Sequence, residues 1–196
     1  MSAKGSHTTA DFIPWDEATN VVRKLYRDGD YMMSMLIGVG IFTGLRISDI
    51  KQLKWNHLLN KSGEFTLFEQ KTSKRRTIRV NREFKEHVLK CYNAMNVKDD
   101  DTFIFLSRKN RVISTQRVNV RLKEIKDKYK VHCKNISCHS LRKTFGRRVF
   151  EISGEKAELA IMQLAELFNH SSPTITKRYL GIHQEELLST YNRLEF

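Results

Sequence analysis

Apolar residues recur three and four positions apart along most of this chain, which is the pattern of amphipathic helices. The first such segment, residues 15–26, follows Pro14 and carries acidic residues in its first turn, and both features favour a helix start. A second helix is predicted over 31–42 and ends near Gly44, because glycine readily adopts the left-handed conformation that terminates helices. We predict the remaining helices at 48–53, 82–95, 114–130, 140–152, 155–168, 172–179 and 184–192.

Alternation of apolar and polar residues, which is typical of half-buried β-strands, occurs in two short segments. These are residues 64–68 and 77–80, and the basic sequence QKTSKRR (70–76) lies between them. We predict an antiparallel hairpin, joined by a third short strand near 55–58. The predicted fold class is therefore mainly α with a small three-stranded antiparallel β-sheet (α+β).

Length and composition favour one intracellular domain. A chain of 196 residues with 40% hydrophobic content is long enough to bury a core, and no Gly/Ser-rich linker or internal repeat divides it. No apolar run approaches the 18 or so residues of a membrane span, and the polar N-terminus lacks the signal-peptide pattern. The cysteines, Cys91, Cys133 and Cys138, are poorly placed for a disulfide framework, so we expect a reducing compartment.

The charge of the chain points to a polyanionic partner. Its 35 lysines and arginines against 22 aspartates and glutamates give a formal net charge of +13. Nucleic acid is the commonest partner of so basic a protein, although a ribosomal protein or a binder of acidic membranes would carry a similar charge. Charge alone does not decide between these classes.

Three separated segments together resemble the boxes of the tyrosine recombinase (phage integrase) family. The matching positions are Arg46 in TGLRISDIKQLKW (43–55), His139 and Arg142 in CHSLRKTFGRRVF (138–150), and His170 and Tyr179 in LFNHSSPTITKRYLGI (167–182). The resemblance runs from about residue 9 to the end of the chain. One box alone would be a weak signal, but all of them in this order and spacing are specific. Asn169 departs from the pattern, because the family usually has glycine there.

The resemblance implies the integrase catalytic-domain fold and a phosphoryl-transfer reaction on DNA without metal or other cofactor. Tyr179 would attack the phosphate and form a 3′-phosphotyrosine, which a 5′ hydroxyl of the partner duplex then attacks. Arg46 and Arg142 would clamp the non-bridging oxygens, a task that suits the planar and permanently charged guanidinium. His139 would act as the base for Tyr179, and His170 would donate a hydrogen bond to the phosphate.

A lysine of the hairpin completes the family's set, and Lys71 is the matching position. It would protonate the departing 5′ oxygen. Lys74, Arg75 and Arg76 lie close by in the sequence and are alternatives for this role. Asp49, about one helical turn after Arg46, is placed to pair with that arginine and orient it.

Two basic segments are candidates for contacts to the DNA backbone. The first is the hairpin, with Lys74, Arg75 and Arg76. The second is the segment from Arg108 to Lys130, in which Arg117 and Arg121 share one helix face. A solvated helix face is the competing interpretation for many of these side chains.

Other interpretations of the same residues were weighed. Each arginine, histidine or tyrosine of the set, taken alone, is most simply a surface or core residue. Cys133 and Cys138, flanked by His132 and His139, give a Cys-x4-Cys pair, but this spacing resembles no zinc motif. We therefore predict no metal site. The rival functions are a type IB topoisomerase-like strand transferase and a non-catalytic basic DNA-binding module.

The resemblance also predicts organisation and partners. We expect residues 1–8 to be a disordered segment or a cloning remnant, and 9–196 to be the catalytic domain without the family's N-terminal core-binding domain. The partner would be double-stranded DNA at a recombination site, in the bacterial cytoplasm and associated with the nucleoid. We expect a monomer alone and a tetramer on DNA, serving integration or excision of a mobile element. The segment 183–194 would pack on a neighbouring protomer or fold back on its own core.

Overall fold

The computed structural model describes residues 10–71, 73–107 and 109–192, and it has the mainly helical architecture that the sequence predicts. The segment 1–8 and Arg108 lie outside the described residues. The elements, numbered in chain order, are α1 (Trp15–Arg27), α2 (Tyr31–Thr43), α3 (Ile47–Ile50), α4 (Trp55–Leu59), β1 (Glu64–Phe68), β2 (Arg75–Arg79), α5 (Arg82–Ala94), α6 (Thr115–Tyr129), α7 (Cys138–Ile152), α8 (Ala157–Phe168), α9 (Pro173–Leu180) and α10 (Ile182–Tyr191). One 3₁₀ turn, Gly154–Lys156, precedes α8.

Helix α2 runs through the centre of the main core. It is apolar on all sides, as expected for a helix that packs against neighbours in every direction, and it contacts α1, α5 and α7. The Asp30 side chain accepts a hydrogen bond from the backbone N–H of Met33 at its start, and Gly44, with φ of +61°, ends it. None of the helices in the described part of the chain has the length and apolar character needed to span a membrane.

Glycines in α2 allow its neighbours to approach closely. A Cβ atom at Gly40 would lie 2.7 Å from Leu141 of α7, and one at Gly38 would lie 2.5 Å from Phe84 of α5. Both distances are shorter than van der Waals contact, so only glycine allows this packing. The approach of α7 sets Arg142 beside the carboxyl end of α2.

The β-structure is a two-stranded antiparallel hairpin. Strands β1 and β2 pair in the register Glu64↔Arg79 to Phe68↔Arg75. The prediction of a third strand near Trp55–Leu58 is wrong, because this segment forms helix α4. Trp55 and Leu58, three positions apart, are both buried, and that spacing matches a helix rather than the alternation of a strand.

A second, smaller core lies at the C-terminal end of the described chain. Ile161, Leu164 and Phe168 of α8 pack with Leu180 and Ile182, which follow Tyr179 closely. This cluster holds α9 against α7 and α8. The helix that carries Tyr179 is thus fixed to the helix that carries Arg142.

Replacement of Gly44 by alanine tests the close packing at the end of α2. A Cβ atom there would overlap the Phe145 ring, and the left-handed backbone adds about 1–2 kcal/mol of strain for a residue with a Cβ. Overpacking typically costs a further 1–3 kcal/mol or so. We expect Gly44→Ala to lower the free energy of unfolding, measured by urea denaturation, by the sum of both terms.

Gly29→Ala is the matched control. Gly29 also has a positive φ, +80°, but no heavy atom lies within 4 Å of its added Cβ in the described structure. It should therefore lose only the strain term. Equal losses in the two variants would contradict the packing argument.

Candidate active site

Three arginines lie against the carboxyl ends of helices α2 and α8, where the last carbonyl groups have no partner within the helix. Arg142 Nη1 donates to the Gly44 carbonyl at 2.6 Å, Arg76 Nη2 to the Thr43 carbonyl at 3.0 Å, and Arg46 Nη2 to the Phe168 carbonyl at 2.9 Å. The negative end of each helix dipole also favours a cation at this place. The helix ends therefore orient all three guanidinium groups.

Arg142, in the second turn of α7, is almost completely buried, with 5% of its surface exposed. Its guanidinium carbon lies 4.1 Å from the centroid of the Phe168 ring. Burial, followed by the charge of Arg46, lowers the pKa of Arg142 to about 10. Its Nη2 atom has no hydrogen-bond partner among the described residues. A buried cation with an unsatisfied N–H group favours the binding of an anion.

Arg46, which immediately precedes α3, is held by a carboxylate as well as by the end of α8. Its Nη1 donates to Glu69 Oε2 at 2.6 Å. Among the described residues Arg46 makes no ion pair with Asp49, so the expected partner was wrong. The side chain of Asp49 instead accepts a hydrogen bond from the backbone N–H of Gln70 at 3.0 Å and so holds the base of the hairpin turn.

Tyr179, on α9, lies beside Phe168 and His170 with ring-centroid distances of 5.8 and 5.3 Å. The Lys143 ammonium lies 5.1 Å from the centroid of the tyrosine ring, within cation–π range. The phenol oxygen is buried and has no hydrogen-bond partner among the described residues. Burial raises the pKa of Tyr179 to about 12, while the charges of Arg142 and Arg46 act in the opposite direction.

His170 lies between the end of α8 and the start of α9, and its Nδ1 is hydrogen-bonded to Thr176 Oγ1 at 2.9 Å. Burial, followed by the charges of Arg142 and Arg46, lowers the pKa of His170. The preceding residue, Asn169, ends α8 with φ of +51°. Asparagine tolerates this left-handed conformation, which explains how it stands in place of glycine.

His139 and Lys71 lie at the edge of the site. His139 is in the first turn of α7, and the residue as a whole is exposed. Its imidazole ring is nevertheless partly buried, and this burial is the largest cause of its lowered pKa. The positive charges of Arg142, Lys143 and Lys71 lower the pKa of His139 further. Lys71 is exposed in the turn between β1 and β2, near enough for its charge to act on His139.

The structure brings the six predicted residues to one side of the domain. Arg46, Arg142, His170 and Tyr179 surround Phe168, and His139 and Lys71 flank them. The sequence reasoning missed Phe168, which contacts four of these groups, and Glu69, which pairs with Arg46. A signal for Glu69 exists in the sequence, since it is an acidic residue at the end of a strand and two positions before Lys71.

The basic residues proposed to contact DNA differ in their surroundings. Lys74 and Arg75 are exposed in the hairpin, and Lys74 Nζ donates to Asn169 Oδ1 at 2.6 Å. Arg117 is exposed on α6, whereas Arg121 pairs with Asp30 and Glu124. Arg76 points inward to Glu69 and the end of α2.

The described residues contain no group of three or more His, Cys, Asp or Glu side chains that could hold a metal ion. Cys133 and Cys138 are buried as free thiols. Within the described residues, no set of metal ligands therefore lies beside the cluster of Arg46, Arg76 and Arg142.

Comparison with known proteins adds to this geometry. Residues 18–186 match the family model described as the phage integrase family. The chain is 32% identical over 153 residues to the probable integrase/recombinase YoeC of Bacillus subtilis, and this alignment covers 78% of each chain. It is 29% identical over 164 residues to the tyrosine recombinase XerC of Serratia marcescens, with 82% of this chain and 50% of that protein covered. The chain thus spans about half the length of XerC.

Solved structures share the fold at low sequence identity. The crystal structure of XerA recombinase matches with a TM-score of 0.71 and 19% identity, covering 96% of this chain and 67% of that one. The Tn1549 transposon integrase in complex with transposon right end DNA matches with a TM-score of 0.69 and 17% identity, covering 95% and 68%. XerH recombinase in a post-cleavage complex matches with a TM-score of 0.67 and 17% identity, covering 96% and 55%.

The lowered pKa values of His139 and His170 lead to a pH prediction. Burial and the neighbouring cations disfavour the charged imidazolium, so each ring stays neutral until the pH falls below 6.5, the ordinary value for histidine. We expect NMR titration of the DNA-free protein to give midpoints below 6.5 for both rings, with signals assigned from His139→Gln and His170→Gln.

Arg142→Met provides the matched test of the cause. The charge of Arg142 is the second cause of both shifts, so its removal should move both midpoints upward. Midpoints at or above 6.5 in the wild type, or no movement in the variant, would show that the electrostatic argument is wrong.

Proposed function

This chain belongs to the phage integrase family as a tyrosine recombinase catalytic domain, and we propose that it cleaves and rejoins DNA strands through a 3′-phosphotyrosine at Tyr179. The observation that carries the proposal is the presence of two unsatisfied polar groups beside the same aromatic ring. The Tyr179 hydroxyl and Arg142 Nη2 are both buried and without a partner among the described residues, and both side chains lie against the Phe168 ring. A phosphodiester bound between them could be attacked by the tyrosine oxygen at phosphorus, and its non-bridging oxygens could accept the hydrogen bond from Arg142 Nη2.

The phosphate clamp consists of Arg46 and Arg142, with His170 as an additional donor. Both guanidinium groups are fixed by helix-end carbonyls before DNA binds, so little reorganisation is needed when negative charge develops on the non-bridging oxygens. The hydrogen bond between His170 and Thr176 fixes the ring of that histidine. Preorganised cations of this kind act on the transition state more than on ground-state affinity.

Tyr179 needs to lose its proton during attack, since its pKa is raised to about 12 in the DNA-free protein. His139 is the proposed base. Its lowered pKa keeps the imidazole neutral at neutral pH, which is the form that accepts a proton. Arg142 and Arg46 stabilise the phenolate as it forms, because their charges already oppose the rise in the pKa of the tyrosine that burial causes.

Lys71 is the proposed general acid for the leaving 5′ oxygen. It is exposed in the turn of the hairpin, and its charge is close enough to lower the pKa of His139. In the second half of the reaction a 5′ hydroxyl of another strand would attack the phosphotyrosine, and Lys71 would take back the proton. The bond from phosphorus to the 5′ oxygen is replaced by a phosphotyrosine ester that retains its energy, so strand rejoining needs no further energy source.

Double-stranded DNA is the proposed partner, contacted by Lys74, Arg75 and Arg117 on the exposed basic surface. We further propose a tetramer of protomers on a recombination site, acting in integration or excision of a mobile element in the bacterial cytoplasm. Helix α10 supports assembly: Leu187, Leu188 and Tyr191 are all exposed on it, available to a neighbouring protomer.

Tyr179→Phe tests the nucleophile. The variant should bind DNA with unchanged affinity, because the ring remains, but form no covalent adduct on a suicide substrate that is nicked beside the cleavage site. Denaturing gels of the wild type and the variant measure this directly. Tyr191→Phe, which alters an exposed tyrosine on α10, is the control and should form the adduct normally. An adduct that persists in Tyr179→Phe would assign the nucleophile to another residue.

Lys71→Ala tests the general acid. A 5′ alkoxide leaves poorly without a proton, whereas a 5′ thiolate, with a parent pKa of about 8.5 in the cysteine case, leaves without one. The variant should therefore cleave ordinary DNA very slowly and recover most of its rate on DNA with a sulfur-bridged scissile phosphate.

Arg142→Ala is the comparison for this experiment. It removes charge stabilisation at the non-bridging oxygens and should stay about 10²–10³-fold slow on both substrates. If Lys71→Ala remains equally slow on both, another group donates the proton, and Lys74→Ala should then be measured in the same way.

A further inference from the structure

Glu69 is a buried carboxylate that joins two arginines at the base of the hairpin. Only 4% of its surface is exposed. Its Oε2 atom accepts a hydrogen bond from Arg46 Nη1 at 2.6 Å, and its Oε1 atom accepts one from Arg76 Nη1 at 3.3 Å. A buried carboxylate is costly unless it is paired, so its position is fixed by these two cations.

The backbone of Glu69 closes the turn that carries Lys71. Its N–H group donates to the Lys74 carbonyl at 3.0 Å, and its carbonyl accepts from the Ser73 N–H group at 2.8 Å. The next residue, Gln70, donates its backbone N–H to Asp49. The side chain of Glu69 therefore contacts Arg46 of the proposed clamp, and its backbone belongs to the hairpin turn. This one residue connects the two.

The charge of Glu69 also offsets a concentration of positive charge. Arg46, Arg76 and Arg142 are close enough that each of the first two lowers the pKa of Arg142, while Glu69 acts in the opposite direction. Burial lowers the pKa of Arg76, and the hydrogen bond to Glu69 is the largest cause that opposes it. Without this carboxylate, three guanidinium groups would repel one another in a poorly hydrated site.

We infer that Glu69 is the positioning residue for Arg46, holding its guanidinium in the orientation that clamps the phosphate. This inference rests on the proposed function. Glu69 is buried and accepts a hydrogen bond from Arg46, and Arg46 has a second fixed contact at the Phe168 carbonyl. With two N–H groups so held, the remaining N–H groups of Arg46 have a defined direction. Glu69 thus acts on the reaction through Arg46 and makes no contact with DNA itself.

Glu69→Gln is the direct test, since it removes the charge and nearly keeps the shape. We expect single-turnover cleavage to fall about 10²-fold, the order of loss that a misplaced catalytic group produces. DNA affinity should change less than threefold or so, because the clamp acts mainly on the transition state. The loss should be the same on ordinary and on sulfur-bridged DNA.

The matched control is Glu64→Gln at the start of β1, the strand that Glu69 directly follows. Glu64 also pairs with an arginine, Arg79, but at the surface, where an ion pair contributes little. Its cleavage rate should equal that of the wild type. Urea denaturation of both variants establishes that each is folded. If Glu69→Gln is unfolded, the charge-balanced double variant Glu69→Gln/Arg76→Gln takes its place, with the same expected loss of cleavage.

A double-mutant cycle with Arg46→Ala identifies the residue through which Glu69 acts. If Glu69 works only by placing Arg46, then Glu69→Gln should cause no further loss when Arg46 is already alanine. Losses that multiply would overturn the inference. So would recovery of Glu69→Gln on sulfur-bridged DNA, which would assign its effect to Lys71 and the hairpin turn.

Wild-type protein on the nicked suicide substrate separates the two levels of failure. If the wild type forms no covalent adduct, the proposed function fails and Glu69 has no clamp to place. If the wild type forms the adduct and Glu69→Gln cleaves at the same rate, the proposed function stands and only the role of Glu69 is refuted.

Discussion

The contact between three guanidinium groups and the carboxyl ends of two helices is the interaction on which the site depends. Helix ends offer backbone carbonyls that need partners and a negative local potential, so they attract cations without the use of acidic side chains. Arg142 and Arg76 bind the end of α2, and Arg46 binds the end of α8. Since α2 is at the centre of the main core and α8 at the centre of the smaller one, the position of each arginine is fixed by packing.

The same packing leaves polar groups unsatisfied. Arg142 Nη2 and the Tyr179 hydroxyl are buried without a hydrogen-bond partner in the described part of the chain. A buried polar group without a partner costs about 1–3 kcal/mol, so the DNA-free domain is less stable than its core alone would make it. Groups of this kind accumulate where a ligand will supply the partner, and here a phosphodiester has the matching charge and acceptors.

Local patterns in the sequence were sufficient for most of the fold, whereas the site residues were proposed from the family resemblance and their roles remain predictions. The helices follow from apolar spacing, and Gly44 ends α2 as its conformational freedom suggests. The prediction of a third strand was wrong because a short apolar segment such as 55–58 fits both a strand and a helix. Tertiary packing favours the helix here. The prediction that Asp49 pairs with Arg46 was wrong for another reason. Asp49 is near in sequence, but the hairpin brings Glu69 nearer in space, and no local pattern reports that approach.

The hydrogen bond from Arg46 to the Phe168 carbonyl joins residues that are 122 positions apart. During synthesis the chain emerges from its N-terminus, so Arg46 leaves the ribosome long before the residue that orients it and before Tyr179. A nascent or truncated chain that ends ahead of α8 therefore has neither the contact that orients Arg46 nor the proposed nucleophile, even if its helical core has already formed. The proposed site is therefore completed only when the last helices have folded onto the first.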